Sequence, residues 1–184
     1  EADPTFDVEG IDAAHKLTIL GALAFGIPLQ FEKTFTEGIS RIQAQDVAYA
    51  TELGYRIKHL GIARRSGHGI EMRVHPTLIP RRRLIANVDG VMNAVLVKGD
   101  AVGPTLYYGA GAGALPTASA VVADVLDVTR VLTSDPGNRV PHLAFQPEEI
   151  ADIPVLAMED VETAYYLRIA ALDQPGVMAE IAGI

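Results

Sequence analysis

Apolar and polar positions alternate along this chain with two different periods, and the changes of period mark out its elements. From Ile11 to Phe25 the apolar residues recur at helical spacing on nearly every face, which predicts a buried helix closed by Gly26 and Pro28. Positions 12, 16, 19 and 23 share one stripe of that helix, and they are Asp, Lys, Ile and Leu. Gln30 to Phe35 reads as a short strand and Thr36-Glu37-Gly38 as a turn. A second helix is predicted over Gln43 to Leu53, with Gly54 just past its end. Tyr55 to Ala63 and Ile70 to Val74 are extended, and Arg64 to Gly69 turns the chain between them, so the pair reads as an antiparallel hairpin. A second hairpin is expected from Val91 to Val97 and Pro104 to Tyr108, around Lys98-Gly99-Asp100. The glycine-rich Gly109 to Gly113 then leads to a helix over Pro116 to Val128, whose small residues predict close packing.

After Arg130 the character changes. Ser134-Asp135-Pro136-Gly137-Asn138, Pro141 and Pro147 punctuate a loop or linker. Ala164 to Ala171 alternates like a strand, and Asp173-Gln174-Pro175-Gly176-Val177 opens a helix. One strand and two helical turns do not bury a core of their own, so the tail is expected to dock on the main domain or to begin another. The fold class is α+β: a mixed, mostly antiparallel sheet with helices packed on one face.

Composition narrows the picture by exclusion. With 49% hydrophobic and 21% charged residues in 184, a core is expected, and the length suits one domain or one plus part of another. A net charge of −8 argues against a general nucleic-acid binder. Arg81-Arg82-Arg83 is a local exception, expected to be a solvated turn after Pro80. No apolar run nears the ~20 residues that span a bilayer, and the acidic Glu1-Ala2-Asp3-Pro4 resembles neither a signal nor a transit peptide. The absence of cysteine removes disulfides and thiolate chemistry, and fits a reducing cytoplasm. His15, His59, His68, His75 and His142 lack metal-ligand spacing, so no metal is expected; a G-x-S-x-G elbow is also absent.

Three features remain as candidate chemistry. Asp12 and Lys16 form an i,i+4 pair, which is either a surface ion pair worth ~0.3–0.5 kcal/mol or a lysine proton donor beside its positioning carboxylate. Glu1, Asp3, Asp7 and Glu9 lead into that helix; they either complement its dipole or form a ring for a substrate ammonium. Gly109-Ala-Gly-Ala-Gly-Ala-Leu-Pro-Thr117 is either a tight structural turn or a place where backbone approaches a ligand. Its hairpin context argues against a nucleotide-binding βαβ unit. Spacing alone leaves each pair of readings open.

Glu1-Ala-Asp-Pro-Thr-Phe-Asp-Val-Glu-Gly-Ile-Asp-Ala-Ala-His-Lys16, with its acidic D-P-x-x-D lead-in and G-x-D-x-x-x-K, resembles the homoserine dehydrogenase signature. Ala86-Asn-Val-Asp-Gly-Val-Met-Asn-Ala94 and the glycine run ending Pro-Thr-Ala-Ser-Ala120 resemble further segments of that family, collinearly over nearly all of residues 1–130. The resemblance implies reduction of L-aspartate 4-semialdehyde to L-homoserine with NADP or NAD as cofactor, on the route to threonine, methionine and isoleucine. It makes Lys16 the proton donor with Asp12 beside it, Glu1, Asp7 and Asp12 the substrate-binding carboxylates, and Gly109, Gly111 and Gly113 the candidate cofactor contacts. It implies a small-molecule substrate; a mixed sheet with one open face can also pair across a two-fold axis, so a homodimer or higher oligomer is expected in the cytoplasm, with neither a nucleic-acid nor a membrane partner.

The domains expected from it are a catalytic and substrate-binding domain over 1–130, a linker over 131–162, and at 163–184 the start of an amino-acid-sensing ACT domain. The D-x-P-G-V turn at Asp173 carries that last likeness. The family's dinucleotide-binding Rossmann domain, with a second active-site lysine, is expected elsewhere in a longer enzyme, so this stretch alone should turn over little. The competing reading is a non-catalytic amino-acid-binding or dimerisation module.

Overall fold

The computed structural model describes residues 3–135, 139, 141 and 144–184. A four-residue helix α1 (Thr5–Val8) runs through Gly10 into α2 (Ile11–Phe25), which ends at Gly26 in the left-handed conformation. After β1 (Phe35–Thr36) and α3 (Ala44–Glu52) the chain forms β2 (Tyr55–Arg65) and β3 (Ile70–Pro80). These make a three-stranded sheet in the order β1-β3-β2, with β1 parallel and β2 antiparallel to β3. A separate hairpin, β4 (Met92–Gly99) and β5 (Gly103–Ala110), leads into α4 (Ala114–Thr133), and α5 (Val177–Ala182) lies near the end. The α+β architecture holds, divided between two sheets.

Strand alternation decides what the sheet does. On β3, Ile70, Met72 and Val74 point toward α2 and join Ala14, Leu17 and Ile27 in the core. Two glycines bring the layers together. A Cβ on Gly21 of α2 would stand 3.0 Å from the Met72 sulfur, and one on Gly61 of β2 would stand 3.3 Å from a Leu17 methyl. The opposite register of β3 carries Glu71 and Arg73, 2% and 6% exposed, in contact with each other at 3.3 Å. Arg64 joins them, its Nε donating to Glu71 at 2.8 Å. Segment 151–156 straps the base of the sheet, through Ala151 N to Gly26 O (2.8 Å), Ile70 N to Pro154 O (2.9 Å) and Leu156 N to Ile70 O (2.9 Å).

Several expectations are corrected. Gln30 to Phe35 is not a strand: Phe31–Lys33 closes a 3-10 turn with Thr34 N on Phe31 O, and only Phe35 and Thr36 reach β3. The strand expected to stop at Val74 runs on to Pro80. β1 pairs only as far as Val74, so the missing N–H of Pro76 costs no ladder bond on that side. The helix at Ile11 is not buried all round, since Ile19, Leu20 and Leu23 are exposed. The helix after the glycine run is longer than predicted, and among the described residues nothing covers it enough to bury any of its twenty residues.

Residues 164–171 form no strand. Instead Arg168 Nε meets Asp46 Oδ1 at 2.8 Å and the Tyr166 hydroxyl donates to the same oxygen at 3.4 Å. Burial and that carboxylate push the Tyr166 hydroxyl above its ordinary 10.0. Arg81, Arg82 and Arg83 sit exposed in a turn, as expected. Among the described residues no helix is long and apolar enough to cross a membrane.

Candidate active site

The approach to α2 is built by short-range bonds. Asp3 accepts from Thr5 N at 3.0 Å, and the two Thr5 donors hold its carboxyl below the ordinary 3.8. Asp3 is therefore occupied in starting α1. Gly10 turns the chain with φ +77°, a conformation that a side chain would strain. The loop after β1 ties this junction to the sheet: Glu37 N donates to Val74 O (2.8 Å) and Ile39 N to Val8 O (2.9 Å). Gly38 lies so close that an added Cβ would meet the Val8 carbonyl and Glu9 Cα at 2.7 Å each.

On the first two turns of α2, Lys16 Nζ donates to Asp12 Oδ2 at 2.5 Å. The Lys16 side chain is 70% exposed and that of Asp12 38%, so as a stabilising contact the pair is worth little. The stripe runs on through the exposed Ile19 and Leu23, which gives an ammonium–carboxylate pair at one end of an open apolar helix face. Asp7 is exposed on α1, which packs against α2. Glu1 lies outside the described residues, as does His142 among the histidines.

The glycine run separates into distinct roles. A Cβ at Gly111 would fall 2.1 Å from Asn93 Nδ2, and Gly113 starts α4 with φ +124° and ψ 156°, a region only glycine enters without strain. Both have structural reasons to be glycine. Gly109 has none: its φ is ordinary and, its two chain neighbours aside, no atom of the described residues lies within 4 Å of where a Cβ would stand. Open backbone at Gly109, followed by the unpaired N–H groups that begin α4, suits the approach of a planar or anionic ligand. β4 and β5 pack chiefly on each other, so within this chain the glycine run is not brought against Lys16.

Some residues escaped the sequence reading. His15 packs edge-on between Phe6 (5.7 Å) and Phe31 (4.1 Å) beside Lys16. His59 donates from Nε2 to the Glu37 carbonyl at 2.9 Å and lies under Gly10. His15 is adjacent to Lys16 in sequence, but neighbouring helix positions face different ways, so helical spacing does not flag it. Nothing local points to His59, which sits on a strand far along the chain. Among the described residues no group of three or more His, Asp or Glu side chains is placed to hold a metal ion.

Comparison with known proteins agrees with this frame. The sequence model of the family described as homoserine dehydrogenase matches residues 1–126. A homoserine dehydrogenase of Pseudomonas aeruginosa is 71% identical over all 184 residues, which cover 42% of its own length. The crystal structure of a homoserine dehydrogenase from Thiobacillus denitrificans superposes with a TM-score of 0.94 at 74% identity, over 100% of this chain and 42% of that one. A hyperthermophilic archaeal homoserine dehydrogenase, solved in complex with NADPH, matches with a TM-score of 0.54 at 28% identity, over 71% of this chain and 36% of that one. The chain thus spans about two fifths of the length of these relatives.

Proposed function

Since the chain belongs to the homoserine dehydrogenase family, we propose that it supplies the substrate-binding and proton-donating half of an NAD(P)-dependent reduction of L-aspartate 4-semialdehyde to L-homoserine. The observation that carries this reading is the Asp12–Lys16 pair on the open face of α2, at the position where the family resemblance puts its proton donor. Lys16 faces the aldehyde oxygen, stabilises the negative charge that grows there, and passes its proton to it. Asp12 holds the ammonium in place between turnovers. Asp7 and Asp12, with Glu1, attract the substrate ammonium and so orient the aldehyde.

When bound, the nicotinamide supplies the hydride that the carbonyl carbon receives. Gly109 fits this role best, because its backbone is open and no packing reason accounts for the missing side chain. Gly111 and Gly113 shape the run that presents it. Whether the cofactor is NADP or NAD is set by groups that read the ribose, and the archaeal relative solved with NADPH favours the phosphorylated form. The reading includes a catalytic domain over 1–130, a linker over 131–162 and an ACT start at 163–184. It places the enzyme in amino-acid biosynthesis in the cytoplasm.

The competing assembly reading has its own support. α4 exposes Leu115, Val121, Val122, Val125, Leu126 and Leu132, and a two-stranded hairpin is marginal alone. Such surfaces are covered in a working enzyme, by other parts of the polypeptide or by a homodimer or higher oligomer, and this complements catalysis.

The decisive test is Lys16→Ala in the complete enzyme, followed by NADPH oxidation with the aldehyde substrate. We expect kcat to fall about 10²–10⁴-fold, the range of a lost general acid. Thermal stability should hold, because the ion pair contributes only ~0.3–0.5 kcal/mol. Turnover near that of the parent would refute the assignment.

A further inference from the structure

His59 lies 43 positions after Lys16 in sequence, yet its imidazole sits under the junction from which α2 starts. A Cβ at Gly10 would stand 2.7 Å from His59 Cε1 and 3.0 Å from its Nε2, with Val74 Cγ1 at 3.1 Å on the other side. The ring therefore occupies the space that any side chain at position 10 would need. A carbonyl oxygen can only accept, so the 2.9 Å contact with Glu37 O fixes the proton on Nε2. Glu37 is in turn held to the sheet by its own N–H on Val74 O, and two residues later Ile39 N bonds Val8 O at the end of α1. These contacts form a closed clasp: β2 through His59, β3 through Val74, the loop after β1, and the α1–α2 junction.

We propose that His59 is a positioning residue for Lys16, acting as the wedge that sets the angle between α1 and α2. This rests on the reading of Lys16 as the proton donor. Ala14 and Leu17 anchor this stretch of α2 in the core, so a change of angle at Gly10 swings α1 and alters what faces the Lys16 ammonium. Asp7 stands on the other arm of the same hinge, so the wedge also sets its separation from Lys16. The ring supplies two things at once, bulk beneath Gly10 and an N–H for Glu37. Glutamine can supply an amide N–H in their place, whereas alanine supplies neither.

The test uses the complete enzyme and steady-state kinetics normalised to folded protein by circular dichroism. His59→Ala should lower kcat about 10–10²-fold, since displacement of a reacting group by the order of 1 Å costs up to about 10²-fold, and should move KM much less. His59→Gln should restore most of kcat. A purely structural role would reduce the folded fraction and leave kcat per folded molecule unchanged, and that result overturns the proposal. Failure of His59→Gln to restore what His59→Ala loses also overturns it. Should His59→Ala not fold, His59→Ser takes its place, since it too lacks the ring's bulk and is too short to donate to Glu37, and is judged by the same criterion. Lys16→Ala, measured alongside, separates the two claims: loss there with an unaffected His59→Ala sinks the positioning role alone, whereas full activity in Lys16→Ala sinks both.

Discussion

Replacing Glu71 with leucine removes the only carboxylate that Arg73 touches among the described residues. Arg73 is 6% exposed; its Nη2 meets Glu71 Oε2 at 3.3 Å, its Nη1 meets His75 Nε2 at 2.7 Å, and its Nε has no partner among the described residues. The imidazole nitrogen that accepts from a guanidinium is neutral, so it offsets none of the charge. Glu71→Leu therefore strands a buried cation, at a cost of about 3–5 kcal/mol. The Arg64 contact adds little, because that side chain is 55% exposed. For a chain of this size, about 2–4 °C of melting temperature per kcal/mol converts the loss to roughly 6–20 °C.

Replacing both partners removes the desolvated charges together. Glu71→Leu with Arg73→Met should recover most of the stability, since apolar groups of similar volume substitute for buried pairs at little cost. Urea denaturation followed by circular dichroism gives the four corners of the cycle, and a large favourable coupling is the expected result. A single Glu71→Leu costing under about 1 kcal/mol would show that Arg73 finds water on losing its partner. A double variant no more stable than the single would show that shape, and not charge, holds this face; either result refutes the reasoning.

Two further outcomes follow from the same geometry. Lys58 and then Arg56, bonded at 2.7 and 2.9 Å, hold the Asp89 carboxyl below its ordinary 3.8. A depressed folded-state value means that the contribution is present above 3.8 and is lost as pH falls through the lower folded value, so Asp89→Asn should flatten that part of the acid limb in melting temperature against pH. An unchanged acid limb would remove the pair from the account. Gly113→Ala forces a side chain into φ +124°, ψ 156° at the start of α4, and should cost about 1–3 kcal/mol in thermal denaturation. A smaller effect would mean that the turn relaxes, and the glycine run would lose its structural explanation at that position.

Much of this protein is written in short windows of its sequence. The limits of α2 at Ile11 and Phe25, the end of α3 before Gly54, and both hairpins follow from periodicity and turn residues, which act over a few positions and need no partner. The Asp12–Lys16 pair was legible for the same reason, being one helical turn apart. The environment of each element was not legible. An apolar helix carries no mark of which face will be covered, so only packing against β2 and β3 left Lys16, Ile19 and Leu23 open and buried Ala14 and Leu17. The same holds for α4, whose small residues suggest close packing, yet none of them is buried among the described residues.

Tertiary structure alone decided that Glu71 and Arg73 are buried, that Asp46 accepts from Arg168 across more than a hundred residues, and that His59 lies beneath Gly10. Alternation along β3 says that residues 71 and 73 share a face, but not what covers it. Local rules act through backbone bonds and neighbouring side chains, whereas burial and wedging depend on chain segments that meet only after folding. For that reason the sequence determined the elements and the identity of the Lys16 pair, and the fold determined how that pair is held.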